Sequence, residues 1–331
     1  MPESVSMRAA YITELGPAEA IRLGELPPPL PGPHDVLVDV EFSAVNSVDT
    51  FVRSGAYGTP MRFPFVVGRD LAGTVAAVGS AVSAFRPGDR VWCNSLGHAG
   101  RQGAAAEQAV VPADRLYHVP DGVDLLDTVA LAHSAATAHL ALFPHGRLRA
   151  GETVAVLGAA GNVGSALVVL AAQAGARVVA VASARDAAYV RSLGADHVVD
   201  YRSPDAVEEI RAAAPDGVDL HIDTSGRNDL EVALNLLADR GRMVVMSGLH
   251  TRPVLPAGAL YARDRSIRGF AISNADTTQL AEAARRLNTL LAEGRIRPRA
   301  VEVLPLSAAA EAHRRVEQRE ARGKLVLRVE D

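Results

Sequence analysis

The chain has 331 residues, a length at which two cores are expected in place of one. With 48% hydrophobic and 22% charged residues it can fill both, which excludes a wholly disordered chain. Lys and Arg number 34 against 38 Asp and Glu, and no basic block occurs, so the electrostatic footprint for nucleic acid or an anionic membrane is missing.

Cys93 is the only cysteine, so no intrachain disulfide can form. Met1 to Leu15 contains no continuous apolar core of the signal-peptide kind. No run reaches the ~18 apolar residues of a membrane helix. Even Ala166–Ala176 is interrupted by Gln173 and Gly175. A cytoplasmic protein is the expectation.

In chain order, Leu26-Pro-Pro-Pro-Leu-Pro-Gly-Pro33 can be neither helix interior nor central strand, since proline fixes φ and lacks the N–H donor. Asp35–Phe42 partly alternates apolar and acidic residues, the pattern of a half-buried strand. Leu71–Val78 and Gly88–Trp92 predict a strand pair, with turns at Gly79 and Pro87-Gly88. Asp49 and Arg53, four apart, could pair on one helical face. These stretches predict an all-β or α+β lobe over the first ~120 residues.

Near Leu148–Glu152 the pattern changes. Apolar strands at 153–157, 177–182, 197–200, 218–223 and 242–246 alternate with helices at 163–174, 186–193, 204–213 and 228–238. Such alternation predicts a Rossmann-type, doubly wound parallel sheet covered on both faces, an α/β domain. Helices at 278–292 and 308–318 and a strand at 324–329 close the chain.

The first of these strands runs into Gly158-Ala-Ala-Gly-Asn-Val-Gly164. Counted back from Gly164, the dinucleotide pattern is Ala159-x-Gly161-x-x-Gly164, so Ala159, Ala160, Gly161, Asn162, Val163 and Gly164 are candidate phosphate-binding residues. Low bulk lets backbone amides approach a pyrophosphate, which then sits at the positive end of the following helix. An ordinary tight turn is the alternative. The strand before and the helix after favour dinucleotide binding.

The second strand ends in Val181-Ala182-Ser183 without the acid that usually binds the ribose hydroxyls of NAD. Ser183 leaves room for a 2′-phosphate and Arg185 can bind it, so NADPH (NADP+) is the expected cofactor. Ser183 and Asp186 also have the spacing of a capping box, and Asp186 would repel that phosphate.

Several longer stretches then carry a family resemblance. They include Asn46-Ser-Val-Asp-Thr-Phe-Val-Arg-Ser-Gly-Ala-Tyr57, Phe63–Gly79, Phe85-Arg-Pro-Gly-Asp-Arg-Val91, Gly158–Gly164 and Leu193–Tyr201. In this order they resemble the quinone oxidoreductase, zeta-crystallin-like branch of the zinc-independent medium-chain dehydrogenase/reductase superfamily, almost end to end. The resemblance implies a GroES-like, mainly-β catalytic domain over residues 1–127 and 271–331 and a Rossmann NADP-binding domain over 128–270. It implies that Asn46 and Tyr57 line the substrate pocket, and that Thr137 and Tyr201 lie near the cofactor. Ser47 stands where the family usually has proline, and Asp186 where many NADPH-using relatives carry lysine.

Zinc-using relatives read Gly-His-Glu where this chain reads Gly68-Arg69-Asp70, and a cationic Arg69 cannot replace an imidazole ligand. His98, His133, His139 and His145 form no compact ligand motif. No metal is expected. A small-molecule acceptor that takes hydride without a Lewis acid, a quinone or an α,β-unsaturated carbonyl, is the expected substrate. The alternatives are a biosynthetic tailoring enoyl reductase or cyclase, decided by the loop Leu96–Gly103, and a catalytically idle NADPH-binding protein. Ser266–Phe270 reads as a sheet edge, and the family commonly pairs that edge in a homodimer.

Overall fold

A computed structural model of the chain describes residues 6–329. Residues 1–5 and 330–331, which begin and end the first expected domain and open the segment read for a signal peptide, lie outside the described residues. The chain divides into two compact units, Met1–His133 with Leu280–Asp331, and Ser134–Gln279.

In order the elements are β1 (Met7–Ile12), β2 (Arg22–Leu26), β3 (Asp35–Ala44), α1 (Ser47–Ser54), β4 (Phe65–Val66) and β5 (Asp70–Val78). Then come β6 (Arg90–Cys93), β7 (Gln108–Pro112), β8 (Tyr117–His118), α2 (Leu125–Leu140), β9 (Thr153–Leu157), α3 (Asn162–Gln173) and β10 (Arg177–Ala182). The sequence continues with α4 (Ala187–Ser192), β11 (His197–Asp200), α5 (Ala206–Ala213), β12 (Val218–Asp223), α6 (Leu230–Leu236) and β13 (Leu237–Val245). It ends with α7 (Ala257–Tyr261), β14 (Ser266–Gly269), α8 (Thr277–Ala292), β15 (Val301–Pro305), α9 (Ala309–Glu317) and β16 (Lys324–Arg328).

The first unit is mainly β. A seven-stranded sheet runs β15-β16-β3-β5-β6-β8 with β7 also on β3, and a three-stranded sheet runs β2-β1-β4. The alternation seen in the sequence of β3 places Val36, Val38 and Val40 in the core while Asp35, Leu37 and Asp39 stay partly exposed. Gly55, at φ +82°, ends α1 in the left-handed conformation that glycine adopts without a steric cost. Asp49 and Arg53 do not pair. Asp49 turns to the backbone of Asn46, whereas the buried Arg53 pairs with Glu317 on α9, a partner that local spacing cannot reveal.

The second unit is a six-stranded parallel sheet in the order β11-β10-β9-β12-β13-β14. The order reverses at β9, so the loop after β9 sits at the topological switch point where such sheets bind ligands. Val154, Ala155 and Val156 are fully buried, as a strand covered on both faces requires. The helix expected over 228–238 is shorter: α6 stops at Leu236 and β13 begins at Leu237. A register shift between Val218 and Leu220 on β12 absorbs the extra residues before Arg242, so Leu237 pairs with Val218.

One helical stretch, Leu125–His145, is long and apolar enough by composition to cross a membrane, although no such run was expected. Its most apolar window is 83% buried, the position of a core helix.

Candidate active site

Four separated elements of the first unit bring their polar side chains to one buried place. Asn46 caps α1, Asp70 opens β5, His133 lies on α2 and Lys324 opens β16. Asn46, Asp70 and Lys324 are each more than nine-tenths buried. The Asn46 amide is the bridge: Nδ2 donates to Asp70 Oδ2 at 2.8 Å, and Oδ1 accepts from Lys324 Nζ. Its backbone N–H donates to Asp49 Oδ2 at 2.7 Å. Such a cluster is tolerable only because each charge meets an opposite charge or a hydrogen bond.

The electrostatics follow from burial. Desolvation pushes the Asp70 carboxyl up to about 7, against the pull of Lys324, with Asp49 adding to the rise. Desolvation also raises Asp49 to about 6, opposed chiefly by Arg69. Lys324 is lowered by burial, and Asp70 and Asp49 oppose that shift. His133 is held well below its usual value by burial and then by Arg69 and Lys324, so its imidazole is neutral. The ring presents Nδ1 3.9 Å from Asp70 Oδ1.

Tyr57 follows the other end of α1, so an eight-residue helix, ~12 Å long, separates its backbone from that of Asn46. The Tyr57 ring lies against His98, with centroids 5.9 Å apart and planes tilted by 40°. His98 is lowered to about 4 by burial and by Arg69, Arg101 and Arg115. The loop bearing His98 is tied to the loop after α1, where the Ala99 N–H donates to Thr59 Oγ1 and the Gly100 N–H to Pro60 O. The segment Leu96–Gly103 is therefore held beside Tyr57.

In the second unit β9 turns sharply at Gly158, whose φ is +74° and where a Cβ would stand 2.3 Å from Thr224 Oγ1. Gly161 is the N-cap of α3. A Cβ on Gly164 would stand 2.1 Å from Gly158 O. The turn therefore tolerates no side chain at 158 or 164. Among the described residues, the amides of Ala160, Asn162 and Val163 make no hydrogen bond outside the regular elements, as first-turn donors require if they are to meet an anion. Ala159 is fully buried, and its N–H donates to Val181 O, which fixes the loop to β10. These features fit a dinucleotide pyrophosphate. Counting back from Gly164 leaves Gly158 outside the dinucleotide pattern, although a glycine directly after a buried strand is the signal that marks it.

At the end of β10, Ser183 is buried and Arg185 is largely exposed. The capping box does not form. The Ser183 hydroxyl donates to Asp186 Oδ2 at 2.6 Å instead of accepting from the helix backbone. Arg185 Nε stands 3.7 Å from the same carboxylate oxygen. Tyr201 is half-exposed, with the Arg202 guanidinium 5.4 Å from its ring centre, and its N–H donates to Ala182 O. Thr137 is buried on α2.

Residues 32–121 match the family "Alcohol dehydrogenase GroES-like domain", and residues 193–327 match "Zinc-binding dehydrogenase". The chain is 33% identical to a quinone oxidoreductase of Mus musculus over 327 residues, which is 97% of each chain. It superposes on an NAD-dependent alcohol dehydrogenase with a TM-score of 0.88 at 32% identity, covering 98% of this chain and 100% of that one. It superposes on a mycobacterial protein solved in complex with NADPH with a TM-score of 0.85 at 30% identity, covering 97% and 99%.

The second family description raises zinc, and the residues present do not suit it. Arg69 is buried with Nε toward Asn94 O, and Cys93 is a buried thiol raised by desolvation. Among the described residues no three His, Cys, Asp or Glu side chains gather around a metal-sized space. A guanidinium among these groups opposes a second cation.

Proposed function

Since the chain belongs to the quinone oxidoreductase branch of the medium-chain dehydrogenase/reductase superfamily, we propose that it is an NADPH-dependent, metal-independent reductase of quinones or α,β-unsaturated carbonyls. The observation that carries this reading is the buried Arg69, a fixed cation among the polar residues of the first unit. A reductase so built needs an acceptor that delocalises incoming charge onto its own oxygen, and conjugated carbonyls do so.

The nicotinamide, when bound, supplies the hydride. The amides of Ala160, Asn162 and Val163 hold the pyrophosphate in a turn shaped by Ala159, Gly161 and Gly164, while Ser183, Arg185 and Tyr201 surround the adenosine ribose and its 2′-phosphate. Thr137 flanks the cofactor. Tyr57 and the His98 loop form the acceptor wall. Asn46 acts from behind, holding Asp70 and Lys324 in place.

The protein acts as a cytoplasmic homodimer in this reading. β14 pairs with β13 alone among the described strands, and Leu249, Val254, Leu255 and Tyr261 expose apolar surface in the segment leading to it.

The test is NADPH consumption against a panel of quinones, enones and enoyl thioesters after dialysis against a chelator, with the products identified. Reduction of quinones or enones that survives dialysis supports the reading. Turnover confined to large thioesters would mark a tailoring enoyl reductase, and NADPH binding without turnover an idle binding protein. Either result, or activity lost with zinc, overturns it.

A further inference from the structure

Reduction of a conjugated carbonyl or quinone needs a proton as well as a hydride. On the functional reading above, the acceptor takes the hydride, its π electron pair moves to oxygen, and the resulting oxyanion must be protonated. We propose that Asp70 and His133 form the proton relay that supplies it.

The geometry is that of a two-step chain. Asp70 Oδ2 is committed to Asn46 Nδ2, while Oδ1 makes no hydrogen bond among the described residues and faces His133 Nδ1. The 3.9 Å between them is a contact that a modest movement converts into a hydrogen bond, and catalytic hydrogen bonds commonly tighten only when substrate is present. Asp70 is fully buried, whereas the His133 side chain keeps 12% of its surface exposed. The imidazole is therefore the member of the pair that can meet a ligand.

The balance closes without another reagent. Burial raises the Asp70 carboxyl to about 7, so near neutrality a large fraction of it carries the proton that the relay passes on. Neutral His133 donates its Nε2 proton to the oxyanion as Nδ1 receives the Asp70 proton. The ring ends neutral with its tautomer exchanged, and Asp70 ends as a carboxylate. That new charge lies beside Lys324, which Asn46 orients and which favours the ionised form. Solvent then returns one proton to His133 Nε2 as Nδ1 passes its proton back to Asp70, which restores both groups. The other charged or titratable groups acting on the pair are Asp49 on α1, Arg69 before β5, Lys324 on β16 and Cys93 on β6.

The relay is tested with the full-length enzyme and His133→Gln, Asp70→Asn and His133→Ala, each checked for folding by circular dichroism and for NADPH binding. His133→Gln and Asp70→Asn should lower kcat by ~10²-fold or more, leave the NADPH dissociation constant unchanged and abolish the wild-type pH dependence near neutrality. Added imidazole should restore part of the activity of His133→Ala. A second readout needs no turnover: in 15N spectra the His133 tautomer should change in Asp70→Asn. Wild-type turnover with an unchanged kcat and pH profile in the folded variants overturns the relay alone. An unaltered His133 spectrum in Asp70→Asn overturns it as well. Absence of turnover with every acceptor overturns the functional reading and the relay with it.

Discussion

Ser183 donates its hydroxyl to Asp186 Oδ2 across 2.6 Å, so the end of β10 presents a carboxylate where the proposed function brings a 2′-phosphate. Arg185, at 3.7 Å from the same oxygen, is shared between that carboxylate and any incoming anion. On the proposed function, cofactor choice turns on a competition between two anions for one guanidinium and one hydroxyl.

A charge-assisted bond to phosphate contributes ~1.5–3 kcal/mol, so Arg185→Ala should weaken NADPH binding by roughly ten- to a hundredfold. NADH, without the phosphate, should bind as before. Asp186→Lys removes the repelling charge and releases Ser183, and should tighten NADPH. Dissociation constants of both cofactors for wild type and both variants check this. Equal wild-type affinities, or a loss shared by NADH in Arg185→Ala, would refute the assignment.

The Gly158–Gly164 turn makes a steric prediction. A Cβ at Gly164 would stand 2.1 Å from Gly158 O and 2.8 Å from Ala159 Cα, both backbone atoms. Gly164→Ala should therefore push α3 away from the β9 turn, costing ~1–3 kcal/mol of stability and at least tenfold in NADPH affinity. Gly258→Ala is the control, since a Cβ there meets nothing within 4 Å. Urea unfolding and cofactor titration of both variants decide it. Equal effects at the two positions would show that the turn has slack.

The edge strand β14 predicts the assembly. Light scattering at micromolar concentration should give the dimer mass for wild type. Val254→Asp combined with Tyr261→Asp should shift it toward monomer, because both side chains are more than three-quarters exposed in the isolated chain. A wild-type monomer would remove this proposal.

What the sequence made legible was local. Alternation along β3 and the apolar runs of β9 and β10 report burial residue by residue, and burial is what those strands obey. The glycine turn likewise lies within seven consecutive residues. The cluster of Asn46, Asp70, His133 and Lys324 was not legible as a unit, because it gathers side chains from four elements as far as 278 positions apart. Arg53 and Ser183 show the limit in the other direction. Spacing offers Arg53 the Asp49 carboxylate and offers Ser183 the role of acceptor from the helix backbone, whereas Arg53 pairs with Glu317 and the Ser183 hydroxyl donates to Asp186. A motif gives the candidate partners, and the full set of donors and acceptors within reach decides between them.

The buried histidines and the buried carboxylates pull the stability of the protein in acid in opposite directions. Neither ring nitrogen of His221 on β12 has a hydrogen-bond partner among the described residues. Burial lowers this histidine to about 4, against the pull of Asp223 and Asp229. His313 on α9 is lowered to about 3 by burial and by Arg53. In the unfolded chain both titrate near ~6.5. Between that value and about 4 the unfolded state binds protons that the native state refuses, so stability falls as pH falls, by up to ~1.4 kcal/mol per pH unit for each histidine. Asp49 and Asp70 act with the opposite sign. Their native values, about 6 and about 7, exceed the unfolded ~3.8, so they cost stability as pH rises through the same window. The wild-type profile is the difference of these effects, and a variant is needed to separate them. His221→Leu removes one titrating group without removing a hydrogen bond. Its unfolding free energy, measured by urea at intervals from pH 7 to pH 4, should fall less steeply in acid than that of wild type, by about one proton's worth of slope. Parallel curves for the two proteins would mean that His221 already carries a proton in the native sheet.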